Sequence, residues 1–308
     1  MRWCYNNFMK RLVLIDGHAM VFRAFYAFPT SLTTPKGELI NAVYGFTSIL
    51  LTIIKDLHPE YLAVTFDLDK PTFRHQEFVG YKAQRPEADV QLTDQLGRVR
   101  EVVRSRNLPI FEVEGFEADD VIGTLAGQAS SASPGVETII VTGDKDALQL
   151  VNDGKVLVYV PARGKIPAKI YDEAAVEEKM GVEPEQVTDL KALMGDSSDN
   201  IKGVAGIGPK TAAEMIKKFG AIEEVYKHLD QLSPAIAKKM TDGYEEAVRS
   251  KHLVTIVCDV PITLDLEACK ISDYDQKGAI ALFEELGFKS LIKKLPTEMR
   301  PSPQIGLF

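Results

Sequence analysis

Arg11-Leu12-Val13-Leu14-Ile15-Asp16 is a short apolar run closed by an acid, the form of a strand buried on both faces of a parallel sheet with a carboxylate at its carboxyl end. The pattern returns at Tyr61-Leu-Ala-Val-Thr-Phe66, terminated by Asp67, and at Thr138-Ile-Ile-Val-Thr142, followed by Gly143-Asp144-Lys145-Asp146. Ile110 to Val113 and Lys155 to Val160 read as two further strands, and Leu39 to Leu57 as a helix with apolar residues on more than one face. Strands and helices that alternate in this way predict an α/β domain with a mainly parallel central sheet. Beyond about Tyr171 the strands give way to helices, roughly Glu173 to Met180, Pro184 to Met194, Pro209 to Phe219, Ile222 to His228, Pro234 to Lys239, Tyr244 to Ile256 and Gln276 to Leu286. The expected division is an extension at 1–9, an α/β core at 10–180, a helical subdomain at 181–295 and a tail at 296–308. Within the core, 71–106 is rich in charge and reads as a poor core segment and a good mobile one.

With 308 residues and 45% apolar content the chain can bury a full core. Its longest apolar run, Ile49 to Ile54, stops at Lys55 and Asp56, far short of the ~20 residues of a membrane helix. No secretory h-region stands at the start, where Met9-Lys10 reads as the effective beginning of the fold. Three widely spaced cysteines, Cys4, Cys258 and Cys269, suggest reduced thiols in a cytoplasm and argue against a zinc site. A net charge of −8 disfavours nucleic-acid binding unless acids are spent on metal and bases are grouped locally.

Such spending is visible. Phe116-Glu117-Ala118-Asp119-Asp120-Val121-Ile122 places three carboxylates at the start of an apolar helix that carries no Lys or Arg. Acids complementing the helix dipole explain one or two of these and three poorly. Asp16, Asp67 and Asp144 each follow a strand, and parallel α/β sheets gather ligands outside the carboxyl ends of their strands. Asp146 lies two residues beyond Asp144, and Gly195-Asp196-Ser-Ser-Asp199-Asn200 adds two acids at helical spacing. Taken singly, strand-end acids merely cap loops. Together, an all-oxygen set suits Mg²⁺ or Mn²⁺, and more acids than one hexacoordinate ion can use imply two metals driving hydrolysis of a phosphodiester. His18 has no partner that can be named and reads as structural.

Gly203-Val-Ala-Gly206-Ile-Gly208-Pro209-Lys210-Thr211-Ala212 combines close-approach glycines, a proline suited to a first helical turn, and outward amides beside Lys210, an anion site resembling a helix-hairpin-helix phosphate grip. It lacks the Walker spacing of a nucleotide P-loop. Lys82 and Arg85 are candidate catalytic cations that would hold a scissile phosphate, and Tyr81 could stack on a base; the plain alternative is a solvated helix face.

Assembled, these motifs resemble the 5′ nuclease family, in particular the amino-terminal 5′→3′ exonuclease domain of bacterial DNA polymerase I, relatives of the flap endonucleases. The resemblance runs from about Lys10 to Leu295 and is carried by Leu14-Ile-Asp-Gly-His18, Phe66-Asp67, Thr72-Phe-Arg74, Tyr81-Lys82 with Arg85-Pro86, Glu117 to Asp120, Thr142 to Asp146, Gly195 to Asn200 and Gly203 to Ala212. It implies a PIN-like nuclease core, an Mg²⁺-dependent activity that cuts 5′ flaps, and ligand or supporting positions for Asp16, Asp67, Glu117, Asp119, Asp120, Asp144, Asp146, Asp196 and Asp199. It further implies a helical arch over about 71–106 carrying Lys82 and Arg85, with Phe22 and Arg23 at its approaches, DNA contacts from Phe22, Arg23, Arg74 and Tyr81, and K⁺ at the duplex-binding Gly203 loop. Branched or 5′-flap DNA and RNA-primed duplex would be the substrates, acted on by a monomer with a DNA polymerase in trans and no membrane partner. Gln304-Ile-Gly-Leu307-Phe308 looks like a peptide for the sliding-clamp groove. No polymerase region follows, so a stand-alone nuclease and a fragment both remain open. A non-catalytic junction-binding scaffold would need few of these acids, and a PIN-type ribonuclease would lack the Gly203 loop and the arch. A phosphatase of the haloacid-dehalogenase type would need an acid where His18 stands.

Overall fold

The computed structural model describes residues 10–131, 135–271 and 274–295; the expected extension at 1–9, Cys4 and the clamp-binding residues Gln304, Leu307 and Phe308 lie outside them. In chain order the elements are β1 (Lys10–Asp16), α1 (Gly17–Ala27), α2 (Asn41–Leu57), β2 (Tyr61–Thr65), α3 (Phe73–Glu77), α4 (Val90–Thr93), α5 (Leu96–Ser105), β3 (Ile110–Phe111), α6 (Ala118–Ser131), β4 (Val136–Val141), β5 (Val156–Val160) and β6 (Lys169–Tyr171). The helical half follows as α7 (Glu173–Met180), α8 (Val187–Met194), α9 (Pro209–Phe219), α10 (Ile222–Lys227), α11 (Pro234–Asp242) and α12 (Tyr244–Val254), before α13 (Gln276–Glu285) and α14 (Lys289–Ile292).

The strands lie in the order β3-β2-β1-β4-β5-β6, parallel except for β6, which runs antiparallel to β5. The chain leaves β1 toward β2 in one direction and returns to its other side at β4. The order therefore reverses between β1 and β4, the switch point outside whose carboxyl ends ligands collect. Alternate β1 residues serve two cores: Leu12 and Leu14 join α6 and the helical half, while Val13 and Ile15 join α1, α2, α5, α13 and α14. The first of these cores continues without a break from Ile140 and Val158 of the sheet into Leu190, Leu193, Ala212, Met215 and Met240. By packing, α13 and α14 belong to the first half of the chain, where Phe283, Leu286 and Leu291 sit with Phe46 and Val102.

Three elements depart from expectation. The charged stretch 71–106 is not a poor core segment, because Leu92, Val99, Val102 and Val103 are fully buried. The apolar stripe of α5 is narrow and its arginines mask it; Gln95 at its N-terminus also bonds Asn41 and accepts the Ala42 amide of α2. The longest exposed run within it is 83–91. The edge strand β6 passes unread because three residues give no period. The third strand, expected to reach Val113, ends at Phe111. Among the described residues no helix is long and apolar enough to cross a membrane.

Candidate active site

Asp16 ends β1 and caps α1, accepting the Ala19 amide at 2.9 Å on Oδ1 and the Thr142 hydroxyl at 2.8 Å on Oδ2. Thr142 follows β4, so that second bond spans the switch point. Gly17 is required beside it, since a Cβ there would stand 2.5 Å from the Phe66 ring. Asp67, one residue past Phe66, accepts the Ala118 amide at 2.8 Å and thereby fixes the start of α6. Its own amide donates to His18 Nδ1 at 3.0 Å. Burial lowers the His18 pKa and keeps the imidazole neutral, an acceptor suited to that bond.

A cleft of about 950 Å³ opens at this rim, lined by Asp16, Asp67, Glu117, Asp119, Asp144, Asp146 and Asp196 among others. Two of the nine acids expected at ligand or supporting positions do not line it. Asp120, fully buried, turns away from the cleft into a fork–fork pair with Arg74, at 2.7 and 2.8 Å, and also accepts the Glu117 and Val257 amides. One helical step of ~100° separates it from Asp119, so both cannot face the same ion. Asp199 sits behind the wall, bonded by Arg85 at 2.5 Å and Tyr81 at 3.1 Å.

The acids divide by whether a cation reaches them. Glu117 takes Lys82 at 2.8 Å, and Asp199 takes Arg85. Lys191, 4% exposed, lies between Asp146 and Asp196, 2.6 Å from the latter. Burial alone would raise the Asp196 pKa, but Lys191 and the Ser198 amide and hydroxyl hold it down at about 2. Among the described residues no lysine or arginine pairs with Asp16, Asp67, Asp119 or Asp144. Burial, with Asp67 and Asp144 close by, pushes Asp16 up to about 7. Burial and the charges of Asp144, Asp16 and Asp67 likewise hold Asp119 well above the usual range. Carboxylates crowded this way need protons or a cation. Among the described residues no three Asp, Glu, His or Cys side chains already encircle a single point. The donor chemistry, oxygen throughout, fits a hard divalent ion.

The expected DNA-contacting residues are also divided. Phe22 lines the cleft mouth. Arg23 is committed to the carbonyls of Pro161 and Ala162. Arg74, 3% exposed, faces inward, and Tyr81 is buried with its hydroxyl shared between Glu117 and Asp199, so neither presents a surface to a base. Lys82 carries its ammonium to Glu117 from a backbone at φ 54°, a left-handed conformation costly for a residue with a Cβ.

Gly203 is buried, its amide given to Ser250 at 3.2 Å, and a Cβ there would lie 2.3 Å from the Gly195 amide. Its glycine therefore serves the close fold of 195–203 that presents Asp196, rather than a phosphate. Gly206, Gly208 and Lys210 are exposed, Thr211 is half-buried, and Pro209 at the start of α9 borders the cleft. Lys191, Thr142 and Ser198 were not expected at the site. The one signal for them is a lysine inside the apolar run of α8, five residues before Asp196.

Residues 11–181 match the family model of the 5′-3′ exonuclease N-terminal resolvase-like domain, and 182–277 that of the 5′-3′ exonuclease C-terminal SAM fold. DNA polymerase I of Chloroflexus aurantiacus is 45% identical over 93% of this chain and 31% of its own length. That of Bacillus subtilis is 38% identical over 96% of this chain and 33% of its own. The chain thus spans about a third of these relatives. Among solved structures, the bacteriophage T5 D15 flap endonuclease, in a pseudo-enzyme-product complex with DNA and metal ions, superposes with a TM-score of 0.67 at 23% identity. That match covers 90% of this chain and all of the other. The catalytic core of Rad2 in complex with DNA substrate gives 0.55 at 15%, covering 90% and 88%. Strand order, the acids gathered at the switch point and two adjoining family models over 11–277 agree: the chain belongs to the 5′-3′ exonuclease family.

Proposed function

We propose that this chain is a structure-specific 5′→3′ exonuclease and 5′-flap endonuclease that hydrolyses DNA phosphodiesters. The observation that carries the reading is the set of four mutually repelling carboxylates, Asp16, Asp67, Asp119 and Asp144, which among the described residues pair with no lysine or arginine, at the sheet's switch point beneath Lys82 and Arg85. Asp16, Asp67, Glu117, Asp119 and Asp144, with Asp146 and Asp196 beside them, would hold two Mg²⁺ ions, for which Mn²⁺ would substitute. Such ions supply a polarised phosphate, an activated water and a stabilised leaving oxygen. The α9 N-terminus with Lys210 would take duplex phosphates. Lys82 and Arg85 would exchange Glu117 and Asp199 for the phosphate of the 5′ strand, placing it in line with water. Water oxygen bonds to phosphorus, the bond to the 3′ oxygen breaks, that oxygen takes a proton, and the product keeps a 5′-phosphate.

A non-catalytic scaffold would have no use for charges held together at this cost. RNA-primed duplex is a further substrate of the reading, and a DNA polymerase its partner in trans, with the chain itself monomeric. K⁺ at the Gly203 loop would have to displace the Lys239 ammonium, which donates to the Gly206 carbonyl at 3.0 Å. Gln304, Leu307 and Phe308 support clamp binding by sequence alone; deletion of 304–308 should weaken affinity for a sliding clamp in a direct binding assay. The central test is cleavage of a labelled 5′-flap substrate with Mg²⁺ or EDTA by wild type and Asp144→Ala. Loss of cutting with binding retained in Ca²⁺ is the expected result, and undiminished activity in EDTA would overturn the reading. An RNA substrate cut in preference to the DNA flap would favour the ribonuclease alternative.

A further inference from the structure

Asp120, Thr124 and Gln128 stand four residues apart along one flank of α6, the flank turned from the sheet. Each takes a backbone group of the segment that leaves α12. Val257 N–H donates to Asp120 Oδ1 at 2.9 Å, Val260 N–H to Thr124 Oγ1 at 3.1 Å and Leu264 N–H to Gln128 Oε1 at 2.7 Å, while Gln128 Nε2 returns a bond of 2.7 Å to the Ile262 carbonyl. Side chains thus stand in for the neighbouring strand that this segment lacks. The spacing requires an adjustment, because four helical residues rise ~6 Å whereas three or four extended ones cover ~10–13 Å. A tight turn, Ile262 N–H to the Val260 carbonyl at 2.7 Å, shortens the segment to fit. Gly123 lets it lie close, since a Cβ there would come 2.8 Å from Ile256 Cγ2 and 3.0 Å from Cys258 Sγ.

The upper end of this ladder is locked to the helical half. Arg74 grips Asp120 with its fork and donates to the carbonyls of Leu253, in the last turn of α12, and Thr255, the first residue beyond it. Helix α12 in turn holds the Gly203 amide through Ser250, and Lys251 bonds Asp189 of α8 at 2.6 Å. A continuous set of hydrogen bonds therefore runs from the 195–203 fold that presents Asp196, through α12, to the helix that begins with Ala118 and presents Asp119.

We infer that Thr124 and Gln128 are positioning residues: by fastening Val257–Leu264 along α6 they let the helical half set where that helix presents Glu117 and Asp119. The inference rests on the nuclease reading above and concerns the placement of its acids. Neither residue lines the cleft, and Gln128 lies eleven residues from Glu117, so any effect on chemistry must travel through α6.

Thr124→Val keeps the shape and removes the hydroxyl, Thr124→Ser restores it, and Gln128→Leu removes both bonds at a half-buried position that tolerates the change. The expected result is a kcat for flap cleavage ~10-fold lower in Thr124→Val and Gln128→Leu, consistent with small misplacements being costly. KM should be unchanged, Mn²⁺ affinity by electron paramagnetic resonance several-fold weaker, and amide exchange at Asp119–Ile122 faster. Thr124→Ser should match wild type. Variants that melt earlier yet keep wild-type kcat and Mn²⁺ affinity would overturn the inference, as would Thr124→Ser behaving like Thr124→Val. A wild type that fails to cut flaps would sink the nuclease reading instead, and Mn²⁺ affinity and exchange would still decide this one.

Discussion

Replacing Arg74 by methionine should destabilise the protein more than any other single change at the site. The guanidinium is 3% exposed and Asp120 fully buried, so removing the cation strands a carboxylate with no route to solvent. Breaking such a pair costs ~3–5 kcal/mol. The carbonyls of Leu253 and Thr255 lose their donors too, at ~1 kcal/mol each. The sum, about 5–7 kcal/mol, corresponds to a fall in Tm on the order of 8–11 °C for a chain of this size. Differential scanning calorimetry in EDTA reads it directly and keeps metal binding out of the comparison. Two companion variants test the cause. Arg74→Lys retains the charge but not the fork and should lose about half as much. Arg74→Met/Asp120→Asn removes the stranded charge and should regain ~2 kcal/mol over Arg74→Met alone. If Arg74→Met melts within ~3 °C of wild type, or the double variant regains nothing, the buried pair is not what holds α6 to α12 and the reasoning fails.

In the absence of divalent ions, Asp16 with a folded-state pKa of about 7, above its ordinary 3.8, contributes stability that is complete below pH ~4 and lost as pH rises through ~7. Mg²⁺ replaces those protons, so the rise in Tm on adding it should be larger at pH 8 than at pH 5.5, and the opposite order in a melting series would contradict the proposed site. Lys82→Ala and Arg85→Ala should each lower kcat by ~10²–10³ with flap binding in Ca²⁺ within a few-fold of wild type; a loss confined to binding would remove both from the chemistry. Asp196, held at about 2 by Lys191 and Ser198, contributes stability present above pH ~4 and lost as pH falls through ~2. In Lys191→Met that acid limb should flatten by ~1–2 kcal/mol in a pH series of urea melts, and an unchanged limb would show that Lys191 does not hold Asp196 ionised.

The strands were legible because a segment buried on both faces must be apolar throughout, and because Asp16, Asp67 and Asp144 mark where each leaves the sheet. Their meeting followed from topology, not from any one residue. What sequence concealed was partnership. The cation that reaches Asp120 lies 46 residues earlier, and the one on Glu117 35 residues earlier. Within Glu117 to Asp120 nothing local tells which acid faces the cleft and which turns to α12, because that choice is the helical phase set by the Asp67 contact at Ala118. Arg74 and Tyr81 read as surface residues for the same reason: a long polar side chain does not disclose whether its head meets water or a buried acid.

The same sorting answers the objection raised by a net charge of −8. Acids already matched to Arg74, Lys82, Arg85 and Lys191 present little field to an approaching phosphate. Within the cleft, the unmatched charge is concentrated at Asp16, Asp67, Asp119 and Asp144, where protons or bound cations must offset it. Polyanion binding then depends on ions filling the cleft first, and two of the cations lining it, Lys82 and Arg85, are held on Glu117 and Asp199 until a competing positive charge releases them. Metal occupancy and substrate capture are on this account a single event seen from two sides, so flap affinity should rise with divalent concentration even for Ca²⁺, and should do so less in Lys82→Ala.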